Sequence, residues 1–188
     1  TDSQHYYPQM PYYLLPNIGS DDITTEVKSN YILMPVAQAI QQLDSYRDTI
    51  TIKSLLTTTE DAYIENDPEN STWSKSADSE TGAFDLGVSI TETVDDKETQ
   101  IIYFSSASML SSQIDQAISG ANSKLAATAL TSMCDVEQTV VIPSKSTSYT
   151  NLVFTQGAVN TWSIITIAGI PLVLVVIGVM IWMKRRKQ

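Results

Sequence analysis

The chain has 188 residues, 43% of them hydrophobic, and its 21 acidic and 11 basic side chains give a formal net charge of −10. A chain of this length predicts one domain with a core of ordinary size and leaves little room for a second independent fold. The acidic surplus repels phosphate backbones and argues against nucleic acid as a partner, and the single cysteine, Cys134, rules out an internal disulfide.

The first segment, Thr1 to about Asn30, is rich in Tyr, Pro and Asp. Its three prolines within nine residues prevent a long helix and favour extended chain with turns. Asp21 or Asp22 is placed to cap a short helix that runs through Val27. We expect the tyrosines of this segment to pack against the domain, with a binding face as the alternative; they are Tyr6, Tyr7, Tyr12 and Tyr13.

Four segments further along the chain have the apolar patterns of strands: Tyr31 to Ile40, Thr49 to Lys53, Leu86 to Thr91, and Ile101 to Phe104. Apolar and polar residues alternate in the second and third segments, which predicts one buried face. Ile101 to Phe104 is apolar throughout, a pattern typical of a strand that is buried on both faces. We therefore expect Ile101 to Phe104 to be a central strand.

A polar stretch, Glu60 to Gly82, separates the second and third of these strands. It consists largely of acidic residues, Ser, Thr and Asn, with little apolar content, and this composition predicts a long surface loop. Asn70, Ser71 and Thr72 within it form a formal N-glycosylation acceptor, which matters only in an organism that modifies it.

After the fourth strand the apolar period changes to that of helices, and a strand followed by two helices indicates an α/β layer. The first helix is expected within Met109 to Ser119, where Ser112 and Asp115 have capping-box spacing. Gly120 breaks this helix, and Asn122 is placed to cap the second one. The apolar side of the second helix carries Leu125, Ala129, Leu130 and Met133.

Three serines follow the fourth strand directly: Ser105, Ser106 and Ser108. In open α/β sheets, ligands gather at the carboxyl ends of strands, and the amide groups at a helix start favour anions. These serines are therefore the candidate contacts for a ligand or partner. Their ordinary role at such a position is to cap a helix.

Catalytic and metal-binding patterns are missing from the sequence. The only histidine, His5, and the only cysteine, Cys134, stand outside any nucleophile motif. The acidic pairs lack the ligand spacing of a calcium loop, and there is no glycine-rich phosphate loop. We therefore predict a protein that is not an enzyme and uses no metal and no cofactor. A degenerate hydrolase that depends on Ser106, Cys134 or His5 is an alternative.

The clearest signal is the segment from Trp162 to Met183, which contains no charged residue. At about 1.5 Å per residue it spans roughly 33 Å as a helix, enough to cross a hydrocarbon core of about 30 Å. Trp162 and Trp182 stand where indole rings prefer the headgroup region. An extended stretch, Thr139 to Ile142, and the residues Leu152 to Phe154 are expected to lead the chain to this single transmembrane helix.

Pro171 lies in the middle of the apolar segment, with Gly169 before it and Gly178 after it. Proline removes a backbone hydrogen bond and can kink a helix, and small residues let a second helix approach closely. Gly169 and Gly178 are therefore candidates for packing against another helix. A plain anchor that tolerates these residues is the alternative, because Gly and Pro are common in membrane helices.

A basic cluster after the helix sets the predicted orientation: Lys184, Arg185, Arg186 and Lys187. The positive-inside rule places this end in the cytoplasm. The rest of the chain has seven basic against 21 acidic residues, a balance of −14, and is then extracytoplasmic. We expect residues 1–155 to be an extracytoplasmic α/β domain at the cell membrane, 156–161 a juxtamembrane linker, 162–183 the transmembrane helix and 184–188 a cytoplasmic tail.

The start of the chain bears on export. Thr1 is not an initiator methionine, and no apolar signal segment follows it. A domain outside the membrane must be exported, so we expect the sequence to be the C-terminal part of a longer precursor or a trimmed chain, and the domain to be partial.

Three segments carry a family resemblance: I-I-Y-F-S-S-A-S-M-L (Ile101 to Leu110), G-A-N-S-K-L-A-A-T-A-L-T-S-M (Gly120 to Met133), and the exit from Leu152 to Lys187. In this order they resemble the GldG-type auxiliary proteins of ABC transport systems, named for bacterial gliding motility. The segment K-S-L-L-T-T-T-E-D-A-Y (Lys53 to Tyr63) looks like the family's strand and turn in the first half. Met133 and Cys134 depart from the family, which often has a Trp near this helix end.

The resemblance implies a flavodoxin-like or amidotransferase-like α/β domain without catalytic residues, held outside the membrane beside an ABC permease and its ATPase. It also implies that the first strands of the sheet and an N-terminal transmembrane helix precede Thr1. The hypothesis that follows is a non-enzymatic auxiliary subunit of an ABC-type transport system, whose partners are membrane lipid, a permease and an ATPase. The alternative is a single-span surface receptor or adhesin with a passive anchor.

Overall fold

The structure is a computed structural model that describes residues 1–66, 75–134 and 153–186. The predicted glycosylation acceptor at Asn70, the extended stretch Thr139 to Ile142, Leu152 and the last basic residue, Lys187, lie outside these ranges. The strands are β1 (Tyr6–Tyr7), β2 (Met10–Leu14), β3 (Asn17–Ile18), β4 (Met34–Pro35), β5 (Ile50–Thr57), β6 (Asp85–Val94) and β7 (Lys97–Phe104). The helices are α1 (Asp22–Thr25), α2 (Ser112–Ala117), α3 (Ala121–Met133), α4 (Gln156–Ile164) and α5 (Ile170–Arg186), and a π-helical segment, Ile165–Gly169, joins the last two.

The strands form two sheets in which every pair of named strands is antiparallel. One sheet has three strands in the order β1-β2-β4, and the other has four in the order β3-β5-β6-β7. The described part of the chain is therefore a mixed α/β structure that ends in a long apolar helix. A flavodoxin-like sheet is parallel, so this architecture does not confirm that finer assignment.

Three of the four predicted strands are present, and β5, β6 and β7 all extend beyond their predicted bounds. The segment Tyr31 to Ile40 forms only the two-residue strand β4 and an isolated bridge between Ile40 and Asp85. Pro35 offers no N–H to a ladder, and Val36 has a φ of 47°, which turns the chain out of the extended conformation.

β6 and β7 form a hairpin that is closed by Asp95 and Asp96, whose φ angles are 50° and 60°. Positive φ at both central residues is the geometry of a type I′ turn, which matches the twist of the flanking strands. The pair keeps its register without interruption from Val94 opposite Lys97 to Gly87 opposite Phe104. Gly87 leaves room for an aromatic ring, because a Cβ there would lie 2.8 Å from Cδ1 of Phe104.

The prediction that Ile101 to Phe104 is a central strand is wrong for the described part of the chain. The segment belongs to β7, at the edge of the four-stranded sheet, and the central strands are β5 and β6. Only half of its apolar run faces the core: Ile102 and Phe104 are partly buried against it, whereas Ile101 and Tyr103 are 55% and 49% exposed.

Residues from both sheets and from the helices α1, α2 and α3 form one hydrophobic core. Its buried members are Leu14, Leu15, Ile23, Val27, Ile32, Leu33, Met34, Leu55, Leu56, Leu86, Met109, Ile114, Ile118, Ala121, Leu125 and Ala129. Of the four N-terminal tyrosines predicted to pack against the domain, Tyr7 and Tyr13 pack against this core. Tyr12 contacts Tyr13 edge to face, with ring centroids 4.9 Å apart.

Helix α1 begins as predicted. The Asp21 side chain accepts a hydrogen bond from the N–H of Ile23 at 3.1 Å, and Oγ1 of Thr24 accepts one from the N–H of Asp21 at 3.1 Å. Such reciprocal capping satisfies donors that the first turn leaves free. The helix ends at Thr25, and Val27, the predicted end, is fully buried just beyond it.

Gly120 separates α2 from α3 with a φ of 83°, in agreement with its predicted role as a break. The predicted capping box of α2 is wrong, because Ser111 precedes the helix and its side chain makes no capping bond. Asp115 instead serves the next helix, since its carboxylate accepts hydrogen bonds from N–H and Oγ of Ser123 at 2.9 Å and 2.6 Å. The left-handed turn at Gly120 brings the start of α3 back to Asp115.

Asn122 was expected to cap α3, and this prediction is also wrong. The helix begins at Ala121, and the Asn122 side chain is fully buried. Its Nδ2 donates to the carbonyl oxygens of Leu33 and Met109 at 2.7 Å each, and its Oδ1 accepts from the N–H of Leu33 at 3.1 Å. Asn122 therefore ties α3 to two other segments of the domain.

The predicted apolar side of α3 is only half correct. Leu125 and Ala129 are buried in the core, whereas Leu130 and Met133 are exposed. Leu125 and Ala129 lie on one narrow face of the helix, because they are four positions apart. Too little of the domain packs against α3 for the positions beside this face to be buried.

Candidate functional site

The C-terminal helix is the first candidate site, and it begins in contact with the domain. Oγ1 of Thr155 accepts a hydrogen bond from the N–H of Ala158 at 3.2 Å and caps the helix. The N–H of Gly157 donates to the carbonyl oxygen of Gln4 at 3.1 Å, and a Cβ at 157 would lie 2.9 Å from Oε1 of Gln4. The segment expected as a juxtamembrane linker, 156–161, is therefore helical and touches the N-terminal segment.

The helix continues without a break from Gln156 to Arg186, 31 residues in all. At about 1.5 Å per residue this is roughly 46 Å, more than a hydrocarbon core of about 30 Å requires. None of its residues is buried in the structure. By length and composition it is able to cross a membrane, and it is the only helix of this kind within the described ranges.

The middle of this helix is irregular just before Pro171. The N–H of Ile170 donates to the carbonyl oxygen of Ile165, the spacing of a π-helix, and the π-helical segment ends at Gly169. Pro171 has no N–H to give to the preceding turn, and a locally widened turn is a common way for a helix to accommodate that loss. Gly169 and Gly178 both stand open, because a Cβ at either position would meet no atom within 4 Å.

The two ends of the apolar segment carry the predicted anchoring residues. Trp162 and Trp182 are both exposed and are separated by about 30 Å along the helix. Lys184, Arg185 and Arg186 form the last described turn, where cations interact favourably with the helix dipole. The guanidinium of Arg186 lies over the Trp182 ring, with Cζ 5.3 Å from its centroid.

The three candidate serines do not share one surface. Ser106 is buried, and its Oγ donates to the carbonyl oxygen of Pro35 at 2.5 Å. Ser105 is buried as well, with its N–H bonded to Leu86 and its hydroxyl without a partner in the described part of the chain. Ser108 is exposed. Ser106 links the end of β7 to β4, and Ser105 links it to β6. A ligand or partner contact at the three positions stays a prediction.

The residues of the alternative hydrolase are not joined in the described ranges. No hydrogen bond there links His5 or Cys134 to Ser106, whose hydroxyl is already bonded to Pro35. Cys134 is exposed just beyond the end of α3. In the same ranges, no three side chains of His, Cys, Asp or Glu come together in a way that suits a metal ion.

An apolar cavity of about 420 Å³ is the feature that sequence reasoning missed. It lies where the three-stranded sheet meets the ends of β5 and β6. Its lining residues are Thr1, Tyr12, Leu14, Val36, Ala37, Gln38, Ala39, Thr58, Ala62, Tyr63, Ile64, Glu65, Phe84 and Leu86. No sequence pattern marks it, because residues from five separate segments form its walls.

Asp2 fixes the N-terminal segment beside this cavity. Its Oδ1 accepts from the N–H groups of Gln4 and His5 at 3.1 Å and 3.0 Å, and its Oδ2 accepts from N–H and Oγ1 of Thr59 at 3.0 Å and 2.8 Å. Burial disfavours the charged form, yet the hydrogen bonds from Thr59, His5 and Gln4 outweigh it and hold the pKa of Asp2 below its ordinary value.

Comparisons with models of known protein families, with curated proteins and with solved structures find no match for this chain. Two features of the described chain bear on function: the exposed apolar helix and the cavity. The helix carries the more specific chemistry, because its length, its tryptophans and its basic end all point to one environment.

Proposed function

We propose that the protein is a non-enzymatic, membrane-anchored auxiliary subunit of an ABC-type transport system. The observation that carries the proposal is the helix Gln156–Arg186, which exposes an apolar surface on all sides and ends in a basic turn. A helix that is hydrophobic all round must be covered by lipid or by other helices. The family resemblance in the exit segment adds the permease as the protein that covers part of it.

The proposed orientation follows from charge. The basic turn at Lys184, Arg185 and Arg186 belongs in the cytoplasm under the positive-inside rule. The acidic domain is then extracytoplasmic, where it makes contacts with protein or substrate. Because the helix is longer than the membrane core, its first turns, which touch Gln4, stand outside the membrane and hold the domain close to the surface.

The resemblance supports the proposal through the exit segment more than through the sheet. The described strands pair antiparallel, whereas a flavodoxin-like domain is built on parallel strands. A flavodoxin-like assignment would therefore need strands beyond those described. The proposal of an auxiliary subunit depends on the helix and its partner, and it does not require that fold.

In this proposal the permease packs on the irregular middle of the helix. Gly169 and Gly178 present backbone without side chains, and the π-helical turn ahead of Pro171 interrupts the regular hydrogen-bond spacing of the helix. Small residues allow close helix contact in membranes, where association depends on packing and on interhelical hydrogen bonds.

A second candidate function is a single-span receptor or adhesin whose anchor is passive. The cavity favours it, because concave and mostly apolar pockets of this size are the usual form of small-molecule sites. In this reading the helix only holds the domain at the membrane, and binding at the domain is the function.

Replacement of residues 163–181 by an artificial Leu/Ala helix of equal length distinguishes the two functions. Trp162, Trp182 and the basic tail are kept, so that membrane insertion is the same in both proteins. We expect the wild-type chain, purified from its native membrane in mild detergent, to bring with it an ABC permease and ATPase, and the replaced chain to lose both. Mass spectrometry of the purified material measures this.

Two outcomes would contradict the auxiliary role. If the wild-type chain brings neither subunit, the transporter assignment fails. If the replaced chain retains both subunits as fully as the wild type, the helix is a passive anchor and the contact lies in the domain. A variant with Leu130→Ala on the exposed side of α3 serves as the matched control for a change of apolar surface outside the membrane.

A further inference from the structure

The outer edge of β7 is unpaired within the described part of the chain, since β7 is the last strand of its sheet. An edge strand presents a row of N–H and C=O groups that another strand can pair with. Natural proteins protect such edges with charges, prolines, bulges or very short strands. The edge of β7 runs for eight residues, and its last six, from Thr99 to Phe104, have none of these protections.

The turn of the hairpin fixes which backbone groups point outward. In a two-residue hairpin the residues next to the turn, here Val94 and Lys97, exchange hydrogen bonds, and pairing alternates from there. The N–H of Ser105 donates to the carbonyl oxygen of Leu86 at 2.9 Å, which agrees with this alternation. The odd-numbered residues of β7 therefore bond to β6, and Gln100 and Ile102 point their backbone groups outward.

The outer face of the same strand is apolar. Ile101 and Tyr103 are 55% and 49% exposed, and they point to the same side because they are two residues apart. Ile90 lies opposite Ile101 on β6, and Ile52 lies opposite Ile90 on β5. An open edge and an apolar face thus coincide at Ile101.

We propose that β7 pairs antiparallel with β7 of a second copy of this chain, about a two-fold axis at Ile101, so that two four-stranded sheets become one of eight strands. In this register Gln100 of each copy pairs with Ile102 of the other through the outward backbone groups. The two Ile101 side chains face each other in a non-hydrogen-bonded pair, the closer of the two pair types. Tyr103 lies opposite Thr99, an aromatic and a β-branched residue, which is a favourable cross-strand pair.

The distribution of charge favours a second copy in this orientation. All acidic residues at this edge stand at one end of the strand: Asp95, Asp96 and Glu98. Antiparallel self-pairing places the two Glu98 side chains at opposite ends of the interface, about 20 Å apart at roughly 3.3 Å per residue. This separation exceeds the screening length of about 8 Å at physiological salt, so the like charges do not oppose association. A parallel arrangement would place them side by side.

The test measures the mass of the full chain in detergent by light scattering over a range of concentrations. We expect the wild-type protein to form a dimer and Ile101→Lys to raise the dissociation constant by about tenfold or more, because two ammonium groups would face each other. The control is Leu130→Lys, which places the same charge at an exposed leucine of α3, 65% exposed, and leaves the dimer intact.

A cross-link identifies the contact directly. In a Cys134→Ser background, which removes the native exposed thiol, Ile101→Cys is expected to form a disulfide-linked dimer on mild oxidation, and Leu130→Cys is not. Directly opposed residues of a non-hydrogen-bonded pair have the short Cβ separation that a disulfide requires. This measurement decides the question if Ile101→Lys fails to fold.

Three results would overturn the proposal. A wild-type chain that stays monomeric at every concentration removes the dimer itself. A dimer that persists in Ile101→Lys is held together elsewhere, for example through the apolar helix. A cross-link that forms as readily from Leu130→Cys as from Ile101→Cys reports random collision and no pairing of β7.

Discussion

Two helices of this protein differ sharply in the burial of their apolar residues. Helix α3 buries Leu125 and Ala129 in the core and leaves its other side to solvent. Helix α5, Ile170–Arg186, is far richer in Ile, Val and Leu, yet it buries none of its residues. The domain therefore buries its core residues within the chain, whereas the apolar residues of the C-terminal helix are exposed.

The difference indicates two different surroundings for one chain. Monomers in water rarely expose contiguous apolar patches larger than a few hundred Å². The helix Gln156–Arg186 exposes apolar side chains around its full circumference for most of its length. A helix can be stable in lipid, because its backbone N–H and C=O groups form hydrogen bonds with each other. By length and composition the helix suits a membrane span.

The largest expected effect comes from charge at the centre of this helix. Val173→Arg together with Val176→Arg places two guanidinium groups near the middle of the predicted span. Each is expected to cost about 2.5 to 3.5 kcal/mol of insertion free energy, so roughly 5 to 7 kcal/mol together. The variant should be lost from the carbonate-resistant membrane fraction, which quantitative blotting measures.

The matched control adds the same kind of charge to α3, the other helix of the comparison. Leu130→Arg on α3 is expected to remain in the membrane fraction as fully as the wild type, because Leu130 already faces solvent. If the double arginine variant is retained to the same extent, the helix is not inserted in lipid and its apolar surface has a different cover.

Much of the domain could be predicted from local patterns. The alternation in β5, the cap at Asp21 and the break at Gly120 each depend on a few neighbouring residues, and each is present. The single buried face predicted for β6 is wrong, because this central strand is buried on both faces from Leu86 to Ser89. The edge position of β7 could not be predicted in this way. A continuous apolar run is the signature of a buried strand, and here it arises because a core-facing row and an exposed row are both apolar.

The candidate sites differ in the same way, since one depends on local sequence and the others depend on contacts between distant segments. The apolar helix is visible in the sequence because membrane spans need only length and composition, and its tryptophans and basic turn are local as well. The cavity and the role of Asn122 depend on segments that are distant in sequence. The contact between Asn122 and Leu33, for instance, joins residues 89 positions apart, and no local rule distinguishes such a buried asparagine from a helix cap.

Asn122→Ala tests how strongly the domain depends on such buried links. It leaves the N–H and C=O of Leu33 and the C=O of Met109 without their partner, and each buried unpaired group costs about 1 to 3 kcal/mol. We expect a loss of about 3 kcal/mol or more in the free energy of unfolding of the domain and unchanged membrane insertion. Thermal unfolding in detergent, followed by circular dichroism in the tyrosine region, measures it.

Thr128→Ala is the control for this substitution, because Thr128 is only half-buried on α3 and its hydroxyl donates to the carbonyl oxygen of Lys124 in its own helix. An equal loss of stability in the two variants would mean that the buried links of Asn122 contribute nothing beyond helix propensity. A loss of insertion in Asn122→Ala would mean that the domain and the helix are not independent.

The smallest expected effect is a dependence on pH that belongs to the domain alone. The pKa of Asp2 is held below its ordinary value in the folded state, because hydrogen bonds to its carboxylate outweigh the effect of burial. A depressed carboxylate pKa stabilises the fold above the unfolded pKa of about 4, and this contribution is lost as the pH falls through the folded pKa. Asp2→Asn should therefore cost about 1 to 3 kcal/mol at neutral pH and show a weaker loss of stability below about pH 4 than the wild type. Asp61→Asn, at an exposed neighbouring position, should follow the wild-type curve, and an Asp2→Asn curve that also follows it would show that the four hydrogen bonds of Asp2 do not stabilise its charged form.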